Sequence, residues 1–163
     1  KYMERFQQHL LEAKKAFETA DHLAFVTFPL INDAKLLLLI TQNVQRALNN
    51  AMEALLSYDE LYKRIPPLPS DFNAKFELFK DRIAKRYSIP RENIVLINDI
   101  NSILTHRRKS PIEFARKDKF IIASETYKLK MLTLNKVKNY VLETKKFIDK
   151  VNGVLRHSDR RIN

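Results

Sequence analysis

Apolar residues recur along this chain at intervals of three and four, and the pattern breaks at a few well-defined points. Phe6, Leu10, Ala13, Phe17, Ala20 and Ala24 form the first series. That spacing puts side chains on one helical face and predicts a helix from about Tyr2 to Phe25. Pro29 interrupts the pattern, and Asn32 or Asp33 is placed to cap the next helix. The second series is Leu37, Ile40, Val44, Leu48, Ala51, Leu55, Tyr58 and Tyr62, widened by Leu36, Leu38, Leu39 and Met52. It predicts a long helix from about Asp33 to Lys63 that packs on more than one side and is the most buried element. The stretch IPPLPSD, residues 65–71, then places three prolines in four positions. Each proline fixes φ and removes an amide donor, so a stiff connector is expected.

Ser70 or Asp71 caps a third helix with the stripe Phe72, Phe76, Phe79, Ile83 and Tyr87. Pro90 and Glu92 suit the first turn of a fourth, which carries Ile94, Ile97, Ile100 or Asn101, and Leu104, and ends near Arg107. Ser110-Pro111-Ile112-Glu113 has the form of a capping box and predicts a short helix from Pro111 to about Lys117. After Asp118 the period shortens to two. Tyr127, Leu129 and Met131 alternate with Lys128 and Lys130, and Phe120–Ser124 is the natural partner for a small hairpin. Thr133 caps a last helix whose stripe is Leu134, Val137, Val141, Ile148, Val151 and Leu155, with Thr144 filling one slot. Gly153 and the polar tail HSDRRIN are expected to end it. The resulting fold class is mainly α: one domain over residues 1–163, a bundle of about five long helices with a short helix and a small β-hairpin before the last.

Composition narrows the chemistry. The single glycine leaves no room for a glycine-rich phosphate loop. The absence of cysteine removes disulfides and thiolate chemistry and fits a reducing, cytoplasmic setting. No apolar run approaches membrane-spanning length, and no signal peptide is legible. No serine or cysteine stands in a nucleophile motif. No two of His9, His22, His106 and His157 have the i, i+4 spacing of a helical zinc site. The acid pairs Asp59-Glu60 and Asp71/Glu77 read as helix-end and surface charges. A binding protein without cofactor or metal is expected rather than an enzyme.

Charge locates the binding surface. The net charge is +11, and its distribution is uneven: residues 1–105 contribute +1 and residues 106–163 contribute +10. Such asymmetry points to an anionic partner. Capping accounts for Ser110 and Glu113 but not for the cations around them. The expected anion-binding face is therefore Arg107, Arg108, Lys109, Arg116, Lys117 and Lys119, supported by Lys128 and Lys130. Of the interleaved aromatics, Phe114, Phe120 and Tyr127, burial is the expected state. The partner is read as RNA or another nucleic acid. The alternative is docking on an acidic protein, or self-association as a homodimer through the 134–155 stripe.

The order of helices, with the apolar DAKLLLLITQNVQRALNNAMEALLSYDELYK at residues 33–63, resembles HEPN domains. SPIEFARKDKFIIASETYK, residues 110–128, also looks like a segment of uncharacterised archaeal proteins. The HEPN resemblance implies a helical bundle that binds RNA, nucleotide or a protein partner. HEPN ribonucleases carry an Arg, then four to six intervening residues, then a His, whereas Arg5 and His9 are separated by only three. Here His106 has Asp99, Ile100 and Asn101 at the required positions, His22 has Lys15, Ala16 and Phe17, and His157 has Lys150, Val151 and Asn152. The resemblance therefore implies a non-catalytic member, with no catalytic residue to carry over.

Overall fold

In the computed structural model of the chain, residues 2–109, 112–116, 119–123 and 129–162 are described. Helix α1 (Arg5–His22) runs through a π-helical turn (Leu23–Thr27) into α2 (Phe28–Ile31). The break expected at Pro29 falls three residues later, at Asn32, whose φ is 56°. A proline ring crowds the carbonyl of the turn before it, and the wider π turn directly upstream gives it room. Asp33 Oδ1 accepts from the Lys35 amide at 3.0 Å as α3 begins.

Helix α3 (Lys35–Leu61) is the centre of the fold, with fifteen of its 27 residues buried. Helix α1 packs along it, and α7 (Leu134–Ile162) lies against both. Tyr62, which the period puts on the α3 stripe, instead stands exposed just past the helix end. Helices α4 (Phe72–Leu78) and α5 (Ala84–Tyr87) form one rod through a second π turn (Phe79–Ile83). Its cap is Asp71 rather than Ser70, with Asp71 Oδ2 accepting from the Ala74 amide at 3.1 Å. Helix α6 (Arg91–Lys109) buries Leu96 and Ile103 as well as the expected Ile97, Ile100 and Leu104. Both Ile100 and Asn101 prove buried. The Asn101 amide is held by Asn49 and Gln45 of α3 and by the Ile97 carbonyl, all at 2.8–3.0 Å. A buried amide is tolerated only when so paired, and this one fixes how α6 sits on α3.

The short helix expected over 111–117 is not formed. Ile112–Arg116 is strand β1, paired antiparallel with β2 (Lys119–Ala123), which pairs antiparallel with β3 (Leu129–Thr133). The physical reason is backbone satisfaction. A helix of seven residues leaves more than half of its amides and carbonyls as orphan ends, whereas the strand gives them ladder partners. Ser110 and Pro111 of the capping box, and Lys117, lie outside the described residues. The β2–β3 hairpin forms as expected, though 124–128, including Lys128 and Tyr127, also lie outside them. Phe120, Ile122 and Leu132 are buried beneath the sheet, while Met131 is exposed.

Thr133 Oγ1 accepts from the Lys136 amide at 3.3 Å where α7 starts. The α7 stripe Val137, Val141, Thr144, Ile148, Val151 and Leu155 is buried within the chain, so it is core and not a surface for a second copy. The helix does not stop at Gly153 but continues to Ile162. A Cβ added at Gly153 would meet nothing within 4 Å. Gly153→Ala is therefore expected to raise stability by about 0.5–1 kcal/mol, the usual cost of glycine in a helix interior. An unchanged or lowered urea midpoint would contradict this.

Candidate functional site

Arg107, Arg108 and Lys109 are the last three residues of α6, where cations also suit the negative end of the helix dipole. Arg116 ends β1 and Lys119 opens β2, and the two are direct cross-strand partners. Lys119 pairs in turn with Thr133, so the row Arg116–Lys119–Thr133 closes one end of the sheet. Lys119 is exposed. From Ile112, next to the α6 cluster, to Arg116 the strand rises about 13 Å at 3.3 Å per residue. Lys130 belongs to a different row, Glu113–Ile122–Lys130, which alternation places on the opposite face of the sheet from Lys119. The register thus brings two of the predicted cations together and separates Lys130 from them. Lys117 and Lys128 are outside the described residues. Phe120 is core, as its residue type suggests.

A second cluster was not legible in the sequence. Asp59, whose position suggests a helix-end surface charge, is fully buried. Its Oδ2 accepts from Arg86 Nη1, and its Oδ1 accepts from the Tyr87 hydroxyl at 2.5 Å. Arg64 Nη1 lies 3.5 Å from Oδ1 and donates to the Tyr87 oxygen at 3.1 Å. The local cause is the end of α3. The Lys63 amide donates to Glu60 O at 3.0 Å and the Arg64 amide to Asp59 O at 2.8 Å, with Lys63 at φ 55°. These are the two bonds of a Schellman motif, which folds Arg64 back over the last turn. The proline connector is pinned beside it, because Glu60 Oε2 accepts from the Leu68 amide at 2.5 Å. The Arg64 guanidinium carbon lies 5.6 Å from the Tyr58 ring centre and 5.5 Å from that of Tyr62. Arg86 and Tyr87 arrive from the far end of the α4–α5 rod, directly after its π turn.

Protonation follows from this packing. Burial acts to lower the Arg64 guanidinium, but Tyr87 and the Asp59 carboxylate outweigh it, and the net direction is up. Burial, together with the hydrogen bond to Asp59 and its charge, pushes the Tyr87 phenol up to about 12. Burial, with the charge of Asp99, does the same to Tyr140. Both phenols hold their protons more tightly folded than unfolded, where the ordinary value is about 10. Their contribution is complete below pH 10 and is lost as pH rises through about 12. The urea midpoint is expected to fall over that window, and to fall less steeply in Tyr87→Phe. An identical decline in the variant would refute the assignment.

Of the histidines, His9 Nδ1 is 3.0 Å from Asn50 Oδ1, and His157 stands beside the Arg64–Asp59–Arg86 cluster. Among the described residues no group of three or more His, Asp or Glu side chains is placed to hold a metal ion. No described helix is long and apolar enough to cross a membrane. In comparisons with known proteins, no family model matches the chain, and neither a curated protein nor a solved structure matches it.

Proposed function

We propose that this chain is a non-catalytic nucleic-acid-binding protein, with RNA as its favoured ligand. It would hold that ligand through the end of α6 and the Arg116–Lys119 end of the sheet. The observation that carries this reading is the pairing of Arg116 with Lys119 as direct cross-strand partners. Like charges in register destabilise a ladder by about 0.2–1 kcal/mol, and a phosphate between them turns that repulsion into attraction. Arg107, Arg108 and Lys109, at the end of α6 that precedes β1 in the chain, would extend the same contact to further phosphates of a strand. The +10 balance of residues 106–163 supplies the long-range attraction. No cleavage step is assigned, because the Arg–His spacing of HEPN ribonucleases is not in the sequence.

Anisotropy titrations of fluorescein-labelled single-stranded and hairpin RNA at low salt test the proposal. Binding of either, weakening as salt rises, is the expected result. Failure to bind RNA or DNA at low salt would favour the second reading, docking on an acidic protein. The exposed apolar tip of α2, with Leu30 at 81% and Ile31 at 62% relative exposure, speaks for that alternative.

A further inference from the structure

The structure assigns a second anion site, independent of the basic strands. We propose that the cavity between the ends of α3, α5 and α7 binds a doubly charged oxyanion of the phosphate-monoester class. The cavity measures about 470 Å³. Arg64, Arg86, His157 and Ser158 supply its polar lining, while Tyr58, Tyr87 and Val154 form the rest of the wall. Cavities of this size suit small organic ligands rather than a bare ion.

The donor count points to an anion. Asp59 is the carboxylate of this cluster, and both its oxygens already accept, Oδ2 from Arg86 and Oδ1 from Tyr87, with Arg64 Nη1 a further 3.5 Å neighbour of Oδ1. Two guanidiniums face one carboxylate, which leaves one positive charge over among the described residues. The contacts of both arginines run through Nη1. Among the described residues, their Nε and Nη2 groups make no hydrogen bond. Tyr58 adds a buried hydroxyl with no hydrogen-bond partner.

The geometry selects the class of oxyanion. A guanidinium presents two parallel N–H bonds as a fork, and one fork uses both oxygens of a carboxylate. Two forks converging on one cavity are better matched by a phosphate with three terminal oxygens. The organic part of a monoester would then lie along Tyr58, Tyr87 and Val154. The arginines are also held in place before any ligand arrives, Arg64 by the Schellman turn and two rings, Arg86 by Asp59. Preorganisation of this kind lowers the ordering cost of binding. The site is far from the basic strands: from Leu134 to Val154, α7 rises about 30 Å at 1.5 Å per residue.

The test measures calorimetric binding and the thermal midpoint at constant ionic strength, with inorganic phosphate, phenyl phosphate and acetate as probes. Phosphate is expected to bind and to raise the midpoint. Phenyl phosphate should bind several-fold more tightly, and acetate at least tenfold more weakly than phosphate. Arg64→Ala should weaken phosphate at this site at least tenfold. Val154→Trp, which narrows the cavity without touching a charge, should weaken phenyl phosphate more than phosphate, and it keeps the test open should Arg64→Ala fail to fold. Equal binding of acetate would overturn the assignment to the phosphate class. Phosphate binding that survives Arg64→Ala but is lost in Lys119→Glu would overturn the site, because the ion would then be on the basic strands.

Discussion

Arg86→Met is expected to lower the unfolding free energy by about 3 kcal/mol, the lower end of the range for removing one partner of a buried ion pair. Asp59 has no solvent exposure, whereas the Arg86 side chain keeps 35%. The loss therefore falls on the carboxylate, which stays buried with, among the described residues, Tyr87 and the more distant Arg64 to balance it. Methionine fills most of the space of the arginine stem, so packing changes little. The double variant Asp59→Leu/Arg86→Met removes the stranded charge as well. It is expected to recover most of the loss, since apolar residues often replace a buried pair at little cost. Urea midpoints for the two single variants and the double one decide the matter. A double variant as unstable as the sum of the singles would show that this pair does not tie the α4–α5 rod to α3.

The largest functional effect is expected from Arg107→Glu/Arg108→Glu/Lys119→Glu. Each phosphate contact to a single strand contributes about 0.7 to the slope of log K against log salt, which at 0.1 M salt is about fivefold in affinity. Three lost contacts give about a hundredfold weaker RNA binding, before any repulsion from the new carboxylates. Lys119 is exposed and the other two residues close α6, so the fold should survive. Retained helical circular dichroism checks that. Lys130→Glu in its place should have a smaller effect, because its row lies on the other face of the sheet from Lys119.

How much of this the sequence could reveal differs by element. Long helices were legible because their apolar period repeats over many turns, as in Leu37, Ile40, Val44 and Leu48, all buried. The β2–β3 hairpin was legible from the alternation of Leu129, Lys130 and Met131. Strand β1 was not, because Ser110-Pro111-Ile112-Glu113 satisfies a local helix rule that pairing with a neighbouring strand overrides. The two π turns left no periodic signal, since a one-residue insertion is absorbed within one turn. They nevertheless carry the first rod past Pro29 and lead into Arg86 and Tyr87.

The basic surface was visible as a charge imbalance alone, and the register supplied what composition could not, a like-charged pair at Arg116 and Lys119. The Asp59 cluster was hidden for a different reason. Arg64 lies five residues from Asp59, but Arg86 and Tyr87 lie 27 and 28 residues away. Neither period nor composition shows which distant cations a helix-end aspartate will meet. The only local signal was a helix end succeeded at once by Lys-Arg and a proline connector, where a left-handed turn can fold a cation back over the last carbonyls.

The central claim, that the α6 end and the Arg116–Lys119 row contact nucleic-acid phosphates, is tested most directly by the salt dependence of RNA binding. Log K against log salt would be measured from 50 to 300 mM for the native chain and for Arg107→Glu/Arg108→Glu/Lys119→Glu. A slope shallower by about 2 is predicted for the variant, three contacts at 0.7 each. Equal slopes and equal affinities in a folded variant would contradict it.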